Sequence, residues 1–94
     1  MENVSTADFY EACYYLVSGC SITTISCEKV NNKLTCSFSF EGENLPARQI
    51  DYFQGRAEVN LLAFRRAYAQ VNTYAHQAKR KWDREADVPL EEVR

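Results

Sequence analysis

The chain has one histidine, one tryptophan, one methionine, two prolines and three glycines in 94 residues. These shortages narrow the field at once. A single histidine, His76, leaves no H-E-x-x-H helix for a metalloprotease-type zinc. Three scattered glycines make neither a phosphate-cradling loop nor a nucleophile elbow. No apolar run approaches the roughly 18 residues of a membrane span, and the opening MENVSTADFY has neither the basic nor the apolar region of a secretory signal. Charge is nearly balanced, with 11 Lys and Arg against 13 Asp and Glu, which argues against wholesale coating of nucleic acid or of an anionic membrane. The expectation is a soluble, cytoplasmic, non-enzymatic protein with no cofactor and no membrane partner. What the chain does have is 46% hydrophobic and 13% aromatic residues, enough to bury a modest core in one domain without obligatory staples.

The pattern of those residues predicts an α+β domain of order α-β-β-α-α over residues 1–85, with 86–94 as an acidic C-terminal tail. Phe9, Ala12, Cys13, Leu16 and Cys20 follow helical spacing. Ser5 or Thr6 is placed to cap that helix, Asp8 falls in its first turn, and Gly19 stops it. Tyr10 and Tyr14 lie one turn apart on another face and form a candidate partner-binding surface. SITTISC and LTCSFSF then read as strands, the second alternating with period two. Asn31-Asn32 between them suits a type I′ turn, because asparagine tolerates positive φ. With that turn, pairing partners sum to 63, setting Ile25 against Phe38, Cys27 against Cys36 and Lys29 against Leu34. The outer edges of such a hairpin are open to a second copy or a partner strand.

Asn44 is placed to cap a short helix with Pro46 in its first turn and Gly55 at its end, Ile50 and Phe53 being its core contacts. Asn60 caps the longest helix. There Leu61, Phe64, Tyr68, Val71, Ala75, Ala78 and Trp82 recur in steps of three and four, a heptad seam whose alanines fit close crossing within one chain as well as a coiled coil; together with the aromatic content and the open hairpin edges it makes a homodimer the expectation.

Four cysteines remain to be placed. Cys13, Cys20, Cys27 and Cys36 are separated by seven, seven and nine residues, unlike the C-x₂₋₄-C knuckles of a structural zinc site. They read as small core hydrophobes, with Cys27 and Cys36 near enough across the hairpin to touch and oxidise. No metal is expected. The last helix is locally basic through Arg65, Arg66, Lys79, Arg80, Lys81 and Arg84. Cations near a helix C-terminus complement its dipole; the alternative is an anion-facing stripe for nucleic acid or a nucleotide.

In order, FYEACYYLVSG, the FSF strand, YFQG and VNLLAFRRAY resemble a family of small bacterial and phage proteins known as a domain of unknown function. The resemblance spans about residues 8–75 and brings no catalytic residues. It implies a phage or mobile-element accessory protein acting by protein binding, including as an anti-defence inhibitor of a host protein.

Overall fold

The protein is described here by a computed structural model covering residues 2–81 and the backbone of 87–89. Among these residues the order is β1 (Glu2–Thr6), α1 (Phe9–Val17), β2 (Ser21–Val30), β3 (Lys33–Gly42), α2 (Leu45–Phe53), α3 (Leu61–Lys81) and β4 (Asp87–Pro89). The strands form one antiparallel sheet in the order β1-β3-β2-β4. The α+β class and the central α-β-β-α-α order hold, with a strand added at each end. No helix of the described residues is long and apolar enough to cross a membrane.

The hairpin forms in the expected register. Asn31 and Asn32 both take positive φ, 53° and 66°, the combination a type I′ turn needs to match the strands' twist. Ile25 faces Phe38, Cys27 faces Cys36 and Lys29 faces Leu34. Toward its start β2 departs from simple alternation, because Ile22 and Ile25 are three residues apart yet both buried. A bulge between Ile22 and Thr24 resolves the conflict, shifting Ile22 from Glu41 to Phe40. On β3, Cys36, Phe38 and Phe40 are buried while Thr35, Ser37 and Ser39 face the other side, half-exposed.

The open hairpin edges expected from sequence are in part occupied. β1 runs along β3 from Thr6↔Phe38 to Glu2↔Gly42. Asp87–Pro89, within the stretch read as a tail, pair with Thr24–Ser26 of β2. The readings of Trp82, Arg84 and residues 90–94 lie outside the described residues.

Helix ends follow local chemistry. The N-cap of α1 is Asp8, whose carboxylate accepts from the Tyr10 and Glu11 amides, and Ser5 and Thr6 belong to β1 instead. At its other end Gly19 (φ 94°) closes a Schellman motif, with Gly19 N–H donating to Leu16 O and Cys20 N–H to Tyr15 O. Gly55 does the same for α2. Asn44 precedes α2 in a left-handed conformation and its side chain makes no capping bond. Asn60 caps α3, accepting from Ala63 N–H at 3.0 Å.

The core lies between the sheet and the helices. Tyr15, Ile25, Phe38, Phe40, Leu45 and Val71 are its largest fully buried side chains, with Cys13 beside them. The alanines of the α3 seam explain its approach to the sheet: Ala75 and Ala78 are buried, and Cys36 Sγ lies 3.8 Å from Ala75 O. That half of the seam is intramolecular. At the other end Phe64 packs against the core at its edge, and Leu61 is 80% exposed. Ile50 and Phe53 are likewise exposed; α2 is anchored by Leu45 and by Tyr52, which stacks on Tyr14.

Candidate functional site

The start of α1 is fixed by a polar network. Thr6 Oγ1 donates to Glu11 Oε1 at 2.7 Å and Tyr15 OH donates to Glu11 Oε2 at 2.5 Å, so the buried carboxylate has both oxygens satisfied. Tyr52 OH donates to Asp8 Oδ2 at 2.7 Å, joining α2 to the N-cap of α1. Burial first, and then these bonds to carboxylates, raise the pKa of both phenols. The network holds α1 at a set position and leaves Tyr10 facing outward.

Tyr10 is 58% exposed, and its ring sits 5.9 Å from Phe64 and 5.8 Å from Tyr68. With Leu61 and Arg65 these rings line an open groove of about 470 Å³. A second groove, about 290 Å³, lies at the other end of α1, where Leu16 and Val17 meet Ala63, Arg66, Ala67 and Gln70 of α3. Leu62 is also exposed. Of the two tyrosines expected as a partner surface, Tyr10 is exposed, whereas Tyr14 is only 8% exposed. Tyr14 is buried instead, its ring against Tyr15 and Tyr52. Leu61 and Leu62 were missed as surface residues because helical spacing marks a face without saying whether anything covers it.

The expected anion-binding residues fall into two groups. Arg65, Arg66, Lys79 and Arg80 are exposed and Lys81 half-buried, but Arg65 and Lys79 are separated by about 21 Å along the helix axis at 1.5 Å per residue. Each of the first two arginines borders one of the grooves. Neither has a carboxylate partner among the described residues. His76 is exposed between the groups.

The thiols are packing elements. All four are buried, and Cys27 and Cys36 Sγ are 2.7 Å apart, beyond the roughly 2.05 Å of a disulfide bond. Burial pushes the Cys13 thiol up to about 11, with Asp8 adding to it. For Cys36, burial and then the hydrogen bond and charge of Cys27 raise it to about 12 against a smaller opposing effect of Lys79. Neither is a thiolate nucleophile at neutral pH. Cys20 also rises through burial, opposed by Arg48, in the wall of a cavity of about 310 Å³. Glu41 and Glu43 line the same cavity, setting two carboxylates against one guanidinium. No group of three or more His, Cys, Asp or Glu among the described residues is arranged to hold a metal.

No protein-family model, curated protein or solved structure matches the chain.

Proposed function

We propose that the chain is a non-enzymatic binding protein that docks another protein on its helical face, at Tyr10, Leu61, Phe64 and Tyr68. One observation carries this reading: Leu61 and Tyr10, 80% and 58% exposed, stand in one groove with two further aromatic rings. Contiguous exposed apolar surface marks interaction sites, and rigid aromatic side chains are the residues that anchor them. The face is set by buried hydrogen bonds beneath α1, so little order has to be gained on binding. An inhibitor or adaptor role, with a host defence protein as target, is what the resemblance of FYEACYYLVSG, the FSF strand, YFQG and VNLLAFRRAY to small bacterial and phage proteins implies.

Recovery of a defined protein by the tagged chain, lost on Leu61→Asp and kept when Lys79, Arg80 and Lys81 are all replaced by alanine, is the expected result. Salt-sensitive binding of nucleic acid or nucleotides, abolished by the triple substitution and untouched by Leu61→Asp, would favour the basic end of α3 instead.

A further inference from the structure

We infer that the chain pairs with a second copy of itself at the β1 end of the sheet, β1 against β1 in an antiparallel register centred on Val4, with the apolar faces of the two α2 helices meeting beside it. This surface is separate from the docking groove described above, and the two readings stand or fall independently.

β1 is the outermost strand on its side of the sheet. Which of its backbone groups are unused follows from the hairpin turn. A two-residue loop is closed by a hydrogen-bonded pair, here Val30 and Lys33, and bonded and non-bonded pairs alternate from there. Odd-numbered residues of β3 therefore bond β2, and even-numbered ones bond β1. Glu2, Val4 and Thr6, opposite Gly42, Phe40 and Phe38, turn their N–H and C=O groups inward. Those of Asn3 and Ser5 point off the edge, where no described residue bonds them. β1 has no proline, lysine or bulge to discourage pairing.

A two-fold axis at Val4 sets Asn3 of each copy opposite Ser5 of the other and pairs all of these groups. Centring on Asn3 or on Ser5 would set the other residue against a position outside β1. The Val4 register also places Glu2 opposite Thr6, so no like charges face each other across the strands. Val4 meets Val4 as a non-hydrogen-bonded pair, the closer kind, on the face where its β3 partner Phe40 is buried.

α2 adds the second half of the interface. It packs against α1 and β1, whereas α3 packs against α1, β2 and β3, so α2 is the helix at this end of the sheet. Its solvent side is apolar: Pro46, Ala47, Ile50 and Phe53 are all exposed, the last two by more than half, and none is charged. A foreign strand would pair the edge and leave this stripe in water, and a foreign helix would cover the stripe and leave the edge unbonded. A second copy supplies both together, and an uncharged stripe faces itself without repulsion.

Light scattering of the full chain over a concentration series should report a dimer. Asn3→Pro removes an outward N–H and none of the β1–β3 ladder. That variant and Ile50→Asp should each raise the dimer dissociation constant by about tenfold or more with the circular dichroism spectrum unchanged, while Leu61→Asp leaves it unaltered. Val4→Cys reads the register directly without weakening the edge: mild oxidation should link two chains through that position, since Cα atoms about 4.5 Å apart are within reach of a disulfide, and Ser37→Cys on the opposite face should not link. A monomer at hundreds of micromolar overturns the inference. So does a dimer insensitive to Asn3→Pro and Ile50→Asp, equal linking at positions 4 and 37, or a dimer lost on Leu61→Asp, which would assign self-association to the docking groove.

Discussion

The sulfurs of Cys27 and Cys36 lie 2.7 Å apart across the hairpin. Mild oxidation is therefore expected to bridge only Cys27 with Cys36; mass-spectrometric mapping of a dominant Cys13–Cys20 bridge would contradict this packing. All four thiols should resist a thiol reagent until the protein is denatured. Their titration also sets an alkaline limit. A thiol whose pKa rises on folding stabilises the native state below its ordinary value of 9.0, and that contribution is lost as pH climbs through about 11 for Cys13 and about 12 for Cys36. Tyr15 and Tyr52, also raised, act in the same direction at higher pH. The urea midpoint should be level from about pH 7 to 8.5 and fall above pH 9; a midpoint rising over that range would be the wrong sign. What composition could not show is how close residues distant in sequence come. A Cβ on Gly42 would stand 2.8 Å from Cys20 Sγ, so Gly42→Ala should cost about 1–3 kcal/mol. Part of that, at least about 0.5 kcal/mol, should be recovered in a Cys20→Ala background.

Among the elements, the hairpin and the helix stops were readable because single residues enforce them: asparagine at positive φ, and glycine after a helix. Asn32→Gly should raise stability by a few tenths to about 1 kcal/mol, while Asn31→Val, β-branched at φ 53°, should lower it by about 1 kcal/mol or more, as read from urea midpoints. β1 was not readable. ENVST is short and polar, and becomes a strand because Phe38–Gly42 offers it an edge; local propensity does not encode that partner. The cap of α1 moved with it, from Ser5 or Thr6 to Asp8. Asp8→Ala should cost about 0.5–2 kcal/mol as a lost N-cap, and it also leaves the Tyr52 hydroxyl without its acceptor. The heptad seam of α3 was legible as a stripe and only half right as core, since Ala75 and Ala78 meet the sheet while Leu61 is 80% exposed among the described residues.

For the whole molecule the division between core and binding face makes a paired expectation. Phe38→Ala, in a fully buried position, should cost about 3–5 kcal/mol. Leu61→Asp, at 80% exposure, should change stability by no more than about 0.5 kcal/mol while removing partner binding. Of the features that favour a homodimer, Ala75 and Ala78 are buried within one chain and the hairpin edges are in part occupied; light scattering at several concentrations tests the expected dimer, and a monomer at tens of micromolar would leave the helical face to another protein. The most direct test of the docking face is site-specific photocrosslinking in cells, with benzoylphenylalanine at position 61 or 68 on the helical face and at position 37 on the opposite face of the sheet. A single defined protein adduct from positions 61 and 68, absent from position 37, is the predicted result; adducts from position 37 alone, or from all three positions equally, would contradict it.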